Sequence, residues 1–123
     1  MSCRSSSCNS AAAHLALAIA IALLPACSQV RGRKRIQDAN ELYRRGRYRE
    51  AVALYKEAEA FVPELPTLWL NEGYTCRQLI APGGQDAESR QAADCALAAF
   101  KRLAQVAAAL NPSAAQAAPT PAI

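Results

Sequence analysis

The chain has 123 residues and a net charge of +4; 52% of it is apolar but only 6% aromatic, with five glycines. That length leaves room for one small domain and excludes a multidomain chain. Alanine supplies much of the apolar count, and runs of Val, Ile, Thr and aromatics are few, so an all-α fold of thin, closely packed helices is expected.

The N-terminal stretch is a separate object. Met1–Ser10 carries Arg4 and no acid, and Ala11–Leu24 is apolar apart from His14. A membrane span needs roughly 20 apolar residues and a signal-peptide core about 7–15, so this stretch reads as a signal peptide. The sequence "LLPAC" that follows resembles the lipobox of bacterial lipoproteins, with Leu24 three before Cys27 and small Ala26 immediately before it. Pro25 departs from the Ala, Ser or Thr common at its position. The resemblance implies removal of residues 1–26, lipidation of Cys27 and, from Ser28 beside it, sorting to an outer membrane. Two or three acyl chains anchor stably where one is marginal. Ordinary secretory cleavage with an unmodified Cys27 is the alternative.

Loss of residues 1–26 takes away His14, the only histidine. The commonest general base, partner of nucleophilic Ser or Cys, and transition-metal ligand is then missing. Glu57 and Glu59 are two apart on a helix and do not face one another. No enzyme, catalytic residue, metal site or cofactor is therefore expected. "RGRKR", Arg31–Arg35, places four cations close to Cys27 and reads as a basic tether over residues 27–35, against anionic lipid or simply solvated. An exported chain meets no nucleic acid, and the aromatics of "YRRGRY" are better used in packing. Residues 111–123, "NPSAAQAAPTPAI", contain no charged side chain and three prolines, and read as a disordered tail.

Between them, residues 36–110 carry a repeat. Gly46, Ala51, Tyr55, Ala58 and Pro63 stand at offsets that closely resemble the second half of a tetratricopeptide (TPR) repeat, with Ala39 and Leu42 upstream at its small and large positions. Gly46 suits a left-handed helix end, the alanines allow close helix approach, Tyr55 fills the wedge and Pro63 stops the unit. Gly73 lies 34 residues after Ala39, and Trp69 four before Gly73, as in the first helix of a second unit. "LIAPGGQDAES" then interrupts the pattern before an amphipathic run to Leu110, which Asp86 or Ser89 caps. Four helices are expected, over Ile36–Arg45, Arg49–Phe61, Thr67–Gln78 and Asp86–Leu110, forming two TPR-like antiparallel pairs. Two pairs are few for a stable stack without a staple or a partner.

Cys76 and Cys95 flank the interruption and form either a disulfide or two buried thiols, neither with a further ligand at metal spacing. In the TPR family the first helices line an inner groove. Carried over by spacing, this resemblance assigns partner binding to Ile36, Asn40, Tyr43, Arg44, Leu70, Asn71, Tyr74 and Arg77, and implies an extended peptide as ligand. The chain is thus expected to be an adaptor lipoprotein on the periplasmic side of the envelope, binding a protein of secretion, pilus or outer-membrane assembly machinery. Sideways docking into a larger complex, or self-association, is the alternative.

Overall fold

A computed structural model describes the backbone of residues 8–113 and the side chains of His14 and residues 26–113. The start of the expected signal peptide and most of the expected tail lie outside the described residues. Four α-helices occupy most of the rest: α1 (Cys8–Arg44), α2 (Tyr48–Glu59), α3 (Pro66–Gln78) and α4 (Ala87–Leu110). α1 packs on α2 and α3 on α4, and α2 lies against α3 to join the two pairs. This is the expected all-α, TPR-like arrangement.

Local chemistry explains each boundary of the repeat. α1 ends in a Schellman motif: Gly46 adopts φ 73°, its N–H donates to Tyr43 O at 2.9 Å, and Arg47 N–H donates to Leu42 O at 2.9 Å. Only glycine takes that left-handed position cheaply. Pro66 stands in the first turn of α3, where a missing N–H costs nothing, and the Trp69 indole N–H donates to Pro63 O at 2.7 Å. At α4, Asp86 is the cap: its carboxylate accepts from Ser89 N–H at 2.8 Å and from Ser89 Oγ at 2.7 Å. Those bonds hold the Asp86 carboxyl below its ordinary range. Ser89 itself is buried and accepts from Ala81 N–H at 2.9 Å, tying the interrupting loop to the helix.

The core is built from small and medium side chains. Ala39, Ala51 and Ala58 have no exposed surface, so the first pair approaches closely, and Tyr55, Val62, Leu68 and Trp69 fill the space between the pairs. Each larger apolar side chain buried there contributes about 1.5–3 kcal/mol relative to exposure.

α1 differs most from expectation. Its helix does not begin at Ile36 but runs unbroken through the basic segment. Nor is residues 27–35 a detached tether. Gly32 is buried, and a Cβ there would lie 2.8 Å from both Val62 methyls and 2.9 Å from Phe61 Cβ. Around it, Gln29 Nε2 donates to Glu64 Oε1 at 2.7 Å, Arg35 pairs with Glu57 at 3.1 Å, and the Arg31 guanidinium sits 5.9 Å from the centre of the Phe61 ring. The physical reason is the one inward-facing glycine among four outward cations, which lets the helix lie flat on the α2–α3 turn. No helix among the described residues is long and apolar enough to cross a membrane.

Candidate functional site

α1 and α3, the first helices of the two pairs, flank a cleft of about 340 Å³ lined by Asn40, Tyr43, Arg44, Tyr55, Asn71, Tyr74 and Thr75. Asn40 organises it. Its Oδ1 accepts from the Tyr55 hydroxyl at 2.5 Å and from Asn71 Nδ2 at 3.0 Å, linking α1, α2 and α3 through one atom. Thr75 Oγ1 donates to Asn71 O at 2.6 Å and holds that turn of α3. Burial pushes the Tyr55 hydroxyl above its ordinary value, so it stays a neutral donor at physiological pH.

The rim is aromatic and cationic. Tyr43 stacks edge-on to Tyr48 at 5.3 Å between centroids and accepts from Gln78 Nε2 at 3.4 Å. Tyr74 packs edge-on to Phe100 at 5.6 Å, and the Arg77 guanidinium lies 5.6 Å from the centre of the Tyr74 ring. Arg44 bonds Glu41 at 2.5 and 3.1 Å, and Arg45 bonds the same carboxylate at 2.9 Å. The two arginines hold the Glu41 carboxyl below its ordinary range, but these exposed pairs add little stability.

Of the eight residues assigned to the groove, five line the cleft: Asn40, Tyr43, Arg44, Asn71 and Tyr74. Arg77 reaches it over the Tyr74 ring. Leu70 is exposed one helical turn before Tyr74. Ile36 does not belong there: it is only 6% exposed and packs in the core with Ala39. Three residues apart on a helix, Ile36 and Ala39 share a face, so whatever buries one buries the other.

On the opposite side, α2 and α4 leave a larger cleft of about 590 Å³, bordered by Arg49, Val52, Lys56, Leu79, Gln91 and Cys95 among others. Arg49 and Glu88 are ion-paired between α2 and α4. Cys76 and Cys95 are joined in a disulfide on its wall, with Cα atoms 5.9 Å apart. Beside it is an unexpected residue, Glu72, 2% exposed. Burial pushes its carboxyl up to about 6, against the pull of Lys56, whose Nζ is 3.0 Å from Oε1. Lys56 in turn is raised: partial burial pulls it down, but its bonds and attraction to Glu72 and Glu59 together outweigh that. Only the spacing of Glu72 one turn before Cys76 could have flagged it.

Residues 39–76, from the last turns of α1 through most of α3, match the family model of the TPR repeat. No curated protein and no solved structure was found to match the chain. With the paired helices, the match supports a TPR-like domain over these residues. TPR repeats generally serve protein–protein binding and are generally non-catalytic, and the match suggests such a role in general terms.

Proposed function

We propose that the chain is a lipid-anchored adaptor of the bacterial envelope that holds an extended segment of a protein partner in the α1/α3 cleft. The observation that carries this reading is the Asn40–Tyr55–Asn71 network. It fixes polar groups of three helices in one rigid floor beneath exposed Tyr74, half-buried Tyr43 and two arginines. Rigid aromatics and Arg are the side chains that most often anchor an interface, and a preorganised floor lowers the cost of ordering a peptide. The location rests on the lipobox-like "LLPAC" alone. Machinery for secretion, pilus or outer-membrane assembly is the class of partner that the resemblance suggests.

Photo-crosslinking from Tyr43 and Tyr74 positions in intact bacterial envelopes tests the cleft. A discrete adduct that Tyr74→Ala and Arg77→Glu abolish, with helicity unchanged, supports it. Acyl labelling of the wild type and Cys27→Ser tests the anchor independently; label on both, or on neither, removes lipidation from the reading.

Docking of the whole module sideways into a complex is favoured by a different observation. Leu97 stays 56% exposed on α4, three residues before Phe100, whose ring packs on Tyr74. Retention of partner in Tyr74→Ala and Arg77→Glu, with loss in Leu97→Glu, would select this second reading.

A further inference from the structure

Two cysteines and one buried acid converge where α3 meets α4. Glu72 and Cys76 stand four residues apart on α3, hence on one face, and Cys95 faces them from α4. One carboxylate oxygen and the two sulfurs all lie within 4.8 Å of one another. Glu72 Oε1 is occupied: it accepts from Lys56 Nζ at 3.0 Å and lies 3.9 Å from Cys95 Sγ. Oε2 of the same carboxylate is buried and has no hydrogen-bond partner. A buried oxygen in that state is costly and rare in folded proteins, and asks what would normally satisfy it.

We propose that Glu72, Cys76 and Cys95 form a site for a zinc-class divalent cation when the disulfide is reduced. Zinc takes thiolate at about 2.3 Å and carboxylate at about 2.0–2.2 Å in tetrahedral array, which sets neighbouring ligand atoms roughly 3.5–3.8 Å apart. One ligand atom of each residue already lies within 4.8 Å of the others, so only side-chain adjustment is required as the sulfurs separate. Oε2 supplies the third ligand while Oε1 keeps Lys56. Two thiolates and a carboxylate around a dication leave one negative charge, and the Lys56 ammonium beside them cancels it. The 590 Å³ cleft bordering Cys95 has room for a water in the fourth position. Two thiolates select zinc or cobalt over magnesium or calcium, which prefer oxygen ligands throughout. From sequence the two cysteines have no further ligand, and Glu72 is the one that the fold brings to them.

The chemistry balances in two steps. A dithiol reductant delivers two electrons and two protons to the disulfide, yielding two thiols and its own disulfide. The cation then displaces both thiol protons to solvent as the two metal–sulfur bonds form. α3 is therefore stapled to α4 in either state, by a covalent bond or by a metal.

The test uses the full chain with Cys3, Cys8 and Cys27 replaced by Ser, so that only the two cysteines in question can respond. The protein is reduced anaerobically with a phosphine and titrated with cobalt(II), then with zinc(II). Expected are one cobalt per reduced chain, with thiolate-to-cobalt absorption and tetrahedral ligand-field bands, displacement by zinc, and no uptake by the oxidised chain. Cys95→Ser abolishes the absorption, and Glu72→Gln weakens binding at least tenfold while circular dichroism stays helical. X-ray absorption of the reduced zinc form gives a direct reading independent of any variant: two sulfurs with light-atom ligands are expected. A shell without sulfur, no cobalt uptake on reduction, a reduced chain that stays unfolded with cobalt, or Glu72→Gln binding as tightly as its parent overturns the proposal.

Discussion

Glu72 gives this small fold an unusual response to pH. An acid held up at about 6 in the folded chain, against 4.5 when exposed, keeps its proton longer in the folded state than in the unfolded one. Its contribution to stability is full below pH 4.5 and is lost as pH rises through about 6. A shift of this size corresponds to about 2 kcal/mol. Glu41, Glu64 and Asp86 shift downward and act in the opposite direction, but they are shared by any Glu72 variant and cancel in a comparison. Urea unfolding of wild type and Glu72→Gln at pH 4 and pH 7.5 should therefore show the wild type losing about 2 kcal/mol relative to the variant. A constant difference between the two proteins would show that Glu72 does not titrate as its burial requires. Gly46 is the other single residue on which the fold leans. Gly46→Ala should cost about 1 kcal/mol, read as a lower thermal midpoint, because φ 73° is strained for any side chain.

At the scale of elements, α1 is the informative one. Gly32→Ala adds a methyl group into Val62, which is fully buried and β-branched, and into Phe61 Cβ, which is fixed to the backbone. Overpacking costs about 1–3 kcal/mol, whereas the better helix propensity of alanine returns at most about 1. A net loss of about 1 kcal/mol in urea unfolding is expected; no loss would mean that the basic segment does not pack on the α2–α3 turn. The turn at Gly46, the close alanines, Tyr55 and Pro63 were legible because each is a residue whose type and spacing are forced by local geometry. The basic run was not: four cations within Arg31–Arg35 dominate its appearance, and the one glycine that faces inward carries no signal of its own. Ile36 was misplaced for a related reason. Repeat offsets put it at a groove position, while its spacing of three from Ala39 puts it on the buried face. Asn40 and Tyr43, one step further round the helix, do reach the cleft. Glu72 is not legible in the sequence because burial of an acid runs against polarity, and only its packed neighbours Lys56 and Cys95 reveal it.

For the molecule as a whole, two helix pairs make a thin core, and the Cys76–Cys95 bond closes it. With a sequence separation of 19, loop closure contributes about 3 kcal/mol by the chain-entropy model. Reduction, or Cys76→Ala with Cys95→Ala, should lower the unfolding free energy by about that amount in denaturant titration. A much smaller loss would place the stability in the α2–α3 contact instead.

The unbroken course of α1 bears on how the module would work at a membrane. On the lipid-anchored reading, the path from Cys27 to buried Gly32 rises only about 7.5 Å along a rigid helix. A flexible leash would let the domain sweep a hemisphere and meet partners deep in the periplasm. On that reading a stem this short would instead keep the cleft close to the bilayer surface. Its partner would then have to be presented near that surface, and the anchor would select by geometry as well as by address.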